Sequence, residues 1–91
     1  MLIRVVTPSG RVVEIAGIEP SHTIYIIKKR FHELEGVHPN FQQYIDLYGR
    51  FLKDSQTVKE LSLREGFNIY LLHVLHWIHE LDGPLIEFNG I

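Results

Sequence analysis

The chain has no cysteine, which removes disulfide stapling, a thiolate nucleophile and every zinc site built on thiolate ligands. It also has no excess of either charge: nine Lys and Arg stand against eleven Asp and Glu, a formal net charge of −2, and the basic residues are scattered. A phosphate backbone is tracked by a concentrated basic stripe, so nucleic acid is not an expected partner. No apolar run approaches the roughly 20 residues that a membrane-spanning helix needs. The first residues go straight into alternating apolar positions, with no basic leader or small-residue cleavage site. A cytoplasmic or nuclear protein without membrane contact is the expectation. No carboxylate pair, Ser-His-Asp order or glycine-rich phosphate loop occurs in a supporting context, so neither enzyme activity nor a cofactor is expected.

The 91 residues, 45% of them hydrophobic, suffice for one small core. Ile3 and Val5 alternate with Leu2, Arg4 and Val6, then Thr7-Pro8-Ser9-Gly10 supplies turn chemistry before Val13 and Ile15 resume the alternation. This predicts a β-hairpin with Ile3, Val5, Val13 and Ile15 facing inward. Ile24, Ile27, Phe31 and Leu34 follow at i, i+3, i+7 and i+10, one apolar stripe of a helix. Thr23 is the expected N-cap, its hydroxyl accepting from a first-turn amide, and Gly36 the expected left-handed C-cap. Tyr25 and Ile26 lie off the stripe; they read either as scattered surface hydrophobes or as a contact site for the chain's own carboxyl-terminal tail.

After Pro39 the run Tyr44-Ile45-Asp46-Leu47-Tyr48 alternates, with Ile45 and Leu47 expected inward, and Gly49 turns the chain toward Phe51 and Leu52. Val58, Leu61 and Leu63 read as a loop-and-turn segment, and Ile69 and Leu71 point inward from a closing strand. Two strands, one helix and further strands around one sheet make an α+β class with the helix covering one face.

The runs TIYIIKKRFHELEGV, QQYIDLYGRFLKDSQTV and NIYLL, in this order, carry a closer likeness. Over residues 1–75 the chain resembles the ubiquitin-like (β-grasp) family, with two one-residue insertions, near Ala16-Gly17 and near Pro39-Asn40. The resemblance implies a mixed sheet of four to five strands crossed by one helix. It implies a core of Ile3, Val5, Val13, Ile15, Ile18, Ile24, Ile27, Phe31, Ile45, Leu47, Leu52, Val58, Leu63, Ile69 and Leu71, and an ion pair between Lys28 and Asp54 linking helix to loop. Ubiquitin is recognised through an apolar patch whose positions fall at Pro8, Asp46, Tyr70 and Leu72, so a carboxylate is expected where the central isoleucine should stand. An altered protein-binding face is therefore expected, made of Val6, Pro8, Tyr44, Asp46, Tyr48, Arg50, Tyr70 and Leu72 and suited to a partner that offers a cation to Asp46. Of the seven lysine positions of ubiquitin only Lys28 is a lysine here; the others read Val6, Arg11, Arg30, Leu34, Arg50 and Glu65.

Residues 76–91 form a carboxyl-terminal extension in this reading. Trp77 and Ile78 fall where the resemblance requires two glycines for conjugation. Val74, Trp77, Ile78 and Leu81 have helical i, i+3, i+4, i+7 spacing and Asp82-Gly83-Pro84 supplies a stop. Alternatively the last strand runs on through His76, and Leu85-Ile86-Glu87-Phe88 alternates as an added strand would. Trp77, Ile78 and Leu81 are the expected tail contacts, meeting Tyr25 and Ile26 or a second copy in a homodimer. His73, His76 and His79 recur every third residue, a spacing that does not converge three imidazoles on a helix or a strand, so no metal is expected. The functional expectation is a non-conjugated ubiquitin-like interaction domain, consistent with the amino-terminal domain of a longer protein, whose protein partners include ubiquitin-proteasome components. The alternative is a protein modifier processed to expose Gly90.

Overall fold

A computed structural model of the chain describes residues 1–72. The hairpin comes first, with strand β1 at Ile3–Val6 and β2 at Val12–Ile15. Its turn closes through Gly10 N–H donating to the Thr7 carbonyl at 2.8 Å, and Gly10 sits at φ 93°, left-handed backbone that glycine adopts without a Cβ clash. Ile3, Val5, Val13 and Ile15 are all buried, as period two requires.

Helix α1 spans Ile24–Glu35 and ends at Gly36, whose φ of 78° makes the left-handed cap. Ile24, Ile27 and Phe31 are buried, but Leu34 is 57% exposed, because the stripe has drifted off the sheet by the last turn. Thr23 occupies the N-cap without a side-chain hydrogen bond. Its hydroxyl is not needed: the Ile24 and Tyr25 amides donate to the carbonyls of Gln56 and Asp54 at 2.9 and 3.1 Å, so the crossing loop caps the helix. That contact is reinforced where Lys28 Nζ donates to Asp54 Oδ1 at 2.5 Å, the ion pair that the family resemblance implied.

A single 3₁₀ turn, Pro39–Phe41, leads into β3 at Tyr44–Ile45; β4 is Phe51–Leu52 and β5 Phe67–Leu71. The five strands form one sheet in the order β2-β1-β5-β3-β4, with β1 and β5 parallel and the other neighbouring pairs antiparallel. One helix packed over a mixed sheet is the β-grasp architecture, of class α+β. Among the described residues no helix is long and apolar enough to cross a membrane.

The core follows the expected set except in β3. Ile45 and Leu47 were expected inside; Ile45 is only half-buried and Leu47 is 71% exposed, while Tyr44, expected on the surface, is completely buried. Leu71 packs at the core margin and Leu61 joins the core. The phase is set by Gln42. Its buried amide nitrogen donates to the carbonyls of Lys28 and Val37 at 2.8 and 2.9 Å, and the Tyr44 hydroxyl donates to Gln42 Oε1 at 2.5 Å. With Gln42 and Tyr44 inward, period two turns Ile45 outward.

Candidate protein-binding face

The face of the sheet away from α1 carries the outward residue of each strand. Strand register aligns one of them from every strand into a single row: Val12 opposite Val6, Val6 beside Tyr70, Tyr70 opposite Ile45, and Ile45 opposite Phe51. All five are apolar or aromatic. Val6, Tyr70 and Ile45 in the middle are half-buried, and Val12 and Phe51 at the ends are 46% and 60% exposed. At about 4.8 Å between strands the row is about 19 Å long. Leu72 extends it along β5, held to β3 by its N–H donating to the Gln43 carbonyl at 2.8 Å.

At the β4 end the chain makes a protruding turn. Asp46 is the hinge of that turn, and its carboxylate is 6% exposed. Oδ1 accepts from the Tyr48 and Arg50 amides, both at 2.9 Å, and Oδ2 accepts from Arg50 Nε at 2.5 Å. The backbone closes around it, Asp46 N–H donating to the Arg50 carbonyl and Gly49 N–H to the Asp46 carbonyl, each at 3.0 Å. Burial by itself would raise the pKa of Asp46. The hydrogen bonds from the Arg50 amide, the Arg50 guanidinium and the Tyr48 amide, together with the Arg50 charge, outweigh it and hold the carboxyl below its ordinary value. The turn thereby presents Leu47 and Tyr48, 71% and 81% exposed, with the Arg50 guanidinium 5.8 Å from the Tyr48 ring centre.

Two expected binding residues must accordingly be corrected. Asp46 does not stand as a charge in the middle of the face, because its oxygens are consumed by the turn. Tyr44 does not stand on the face at all; it is a core residue, and burial raises its pKa. Ile45 takes the central outward position in their place. Val6, Tyr70 and Leu72 lie on the face, Tyr48 and Arg50 at its β4 end, and Pro8 is exposed in the hairpin turn. Ile45, Phe51 and Val12 were missed by the sequence reading. The available signal was Asp46-Leu47-Tyr48-Gly49, an Asp three residues before a Gly, which is turn chemistry and ends the strand at Ile45.

Of the expected tail contacts, Tyr25 is 44% exposed on the helix and Ile26 is half-buried against the core, while Trp77, Ile78 and Leu81 lie outside the described residues. His73, His76, His79 and Gly90 lie outside them as well. Among the described residues no group of three or more side chains is gathered as metal ligands would be.

A β-grasp sheet crossed by one helix, with an ion pair from helix to loop and an apolar outer face, defines a ubiquitin-like domain. The chain belongs to the ubiquitin family: the model of that family matches residues 3–74. It is similar to the NEDD8-like protein RUB1 of Saccharomyces cerevisiae, 31% identical over 75 residues that cover 82% of this chain and 95% of the relative.

Proposed function

We propose that the protein is a non-conjugated ubiquitin-like domain that binds other proteins through the outer sheet face centred on Ile45, and that it acts by recognition rather than catalysis. The observation that carries this reading is the apolar row Val12, Val6, Tyr70, Ile45 and Phe51, continuous across all five strands. A row of that length fits one apolar face of a short partner helix, with Arg50 at its end for an acidic side chain on the partner. Since Asp46 is turned into the protein, no uncompensated charge opposes such a helix. Modules that recognise ubiquitin through its apolar face are therefore the partners to try first. The absence of conjugation is supported by Trp77 and Ile78 at the positions where the family likeness calls for glycines.

The test is direct binding of immobilised ubiquitin-recognising modules to the full chain and to Ile45→Asp. Burying an isoleucine side chain contributes about 1.5–3 kcal/mol, so the substitution should weaken binding by about ten-fold or more; because Ile45 is half-buried between Tyr70 and Phe51 it should also lower the melting temperature by several degrees, with binding measured well below it. Equal binding by Ile45→Asp, or no binding by either protein, removes the proposal. Incubation with ATP and the enzymes of ubiquitin-type conjugation should give no covalent adduct; an adduct lost on Gly90→Ala would establish the modifier instead.

A further inference from the structure

Strand β3 is too short to cover β5. It pairs only Tyr44 with Leu71 and Ile45 with Tyr70, after which Asp46 leads the chain away into its turn. The Leu72 amide donating to Gln43 shows that even-numbered residues of β5 direct their N–H and C=O groups toward β3. The next such residue, Asn68, thus presents its backbone pair to a side where no strand among the described residues continues, and no backbone hydrogen bond joins it to the β3–β4 turn. Beside this open edge lies a cavity of about 260 Å³ between the turn and the start of β5, lined by Leu47 and Tyr48 on one wall, Phe67 on the other, and Leu61, Leu63 and Tyr70. Arg50 also lines it, and Arg4 reaches its rim, donating to the Gly66 carbonyl at 3.3 Å.

We propose that residues 85–88 of the same chain, Leu85-Ile86-Glu87-Phe88, occupy this groove as a short added strand on the open edge of β5 at Asn68. Three properties of the chain select that occupant. Its alternation sends Ile86 and Phe88 to one side, toward the apolar walls, and Glu87 to the other. Residues 73–91 contain Glu80, Asp82 and Glu87 but no Lys or Arg, a formal charge of −3, and the groove rim carries Arg4 and Arg50, which are paired with Glu14 and Asp46 but keep side chains 43% and 59% exposed. Reach is sufficient: Phe67 and Leu72 are five residues apart along β5, about 17 Å, and the twelve residues from 73 to 84 span about 18 Å even at helical rise. This site is separate from the Tyr25 and Ile26 contact expected from sequence. It adjoins the Ile45 row and shares Tyr70 with it, so a docked tail and a bound partner would compete. The docking itself does not depend on the function proposed above.

The absence of cysteine makes the test clean. Asn89→Cys, on the outward side of the alternation, carries a nitroxide label on the full chain, and paramagnetic broadening of backbone amides is recorded at low concentration. The amides of Leu47, Gly66, Phe67 and Asn68 should lose most of their intensity, and adding Ile86→Asp with Phe88→Asp should restore it. Broadening that appears instead around Tyr25 and Ile26, broadening that persists in the double-aspartate protein, or no localised broadening at all overturns the proposal. So does broadening that arises only between molecules, seen when unlabelled-isotope spin-labelled chain is mixed with isotope-enriched chain lacking the label; that outcome identifies a second copy as the occupant. Loss of partner binding in Ile45→Asp has no bearing on these intensities, so the two readings fail separately.

Discussion

Replacing Asp46 separates two physical roles, and the separation is measurable. Both backbone donors of the turn, the Tyr48 and Arg50 amides, go to the same oxygen, Oδ1, while Oδ2 takes only Arg50 Nε. Asp46→Asn keeps an Oδ1 acceptor for both amides and gives up the ion pair. The Arg50 side chain is 59% exposed, so that pair is worth about 0.5–1 kcal/mol or less. Asp46→Ala removes the acceptor as well and leaves two turn amides to find water, about 1 kcal/mol for each lost bond. The expected costs are therefore about 0.5–1 kcal/mol for Asn and about 2–3 kcal/mol for Ala. In a domain of this size 1 kcal/mol moves the melting temperature by about 4–8 °C, so scanning calorimetry or denaturant melts will resolve the difference. A carboxylate that merely stood on the sheet face would cost no more than about 0.5 kcal/mol in either variant. Equal melting of the Asn and Ala variants, or Ala indistinguishable from the parent, would refute the keystone role.

Acid should act through the same group. The folded pKa of Asp46 is lowered, so the stability it contributes is present above the ordinary carboxylate value of about 3.9 and is lost as pH falls below it; Asp46→Asn should flatten the decline of melting temperature between about pH 5 and pH 2, and an unaltered slope would contradict the assignment. Tyr44→Phe removes the donor to Gln42 Oε1 inside the core and should cost about 1–3 kcal/mol, with a neutral result on urea denaturation showing that water or another donor replaces it. The Lys28–Asp54 pair should prove asymmetric, because the Lys28 side chain is 8% exposed and that of Asp54 55%. Asp54→Ala strands a buried ammonium and should cost about 3 kcal/mol, whereas Lys28→Met keeps the apolar stem and leaves a carboxylate that water can reach, so it should cost less than half as much; equal costs would argue against that reading.

The hairpin, the helix with its Gly36 stop, and β5 were legible because each carries several redundant signals: turn residues at the right places and apolar side chains at one clear period. β3 carries only two strand residues, and its neighbours contradict the usual signs. Tyr44 looks like an amphipathic surface residue and Gln42 like a polar one, yet both are buried because they bond each other and Gln42 bonds one helix carbonyl and one loop carbonyl, a tertiary arrangement with no local signature. Ile45 and Leu47 imitate a strand's inward face, although only Ile45 is in the strand. The placement of the face followed from that single phase, so an error of one residue exchanged Ile45 for Asp46 at its centre. Thr23 failed differently: the N-cap position was legible, but the competing carbonyls come from residues 54 and 56, far along the chain.

The buried Gln42 thus decides which residues the outer face presents. Were β3 to slip by one residue, Tyr44 would be exposed, the carbonyls of Lys28 and Val37 would lose their donor, and the Tyr48 and Arg50 amides would lose Asp46. Each buried polar group left unpaired costs about 1–3 kcal/mol; the Val37 carbonyl and the Gln42 side chain would both lose their partners, while the Lys28 carbonyl, inside α1, would lose its second donor, which sets the slip against the gain of burying Ile45 more fully. The inward network and the outward row are consequences of the same choice of phase. On the function proposed above, a substitution at Gln42, which is buried, should therefore weaken binding at Ile45. Gln42→Leu is the sharp case, since it fills similar space but cannot donate; reduced binding together with lost protection of the Leu72 amide against hydrogen exchange would show the coupling, and reduced stability with unchanged binding would show that the phase is held by Tyr44 and Asp46 alone.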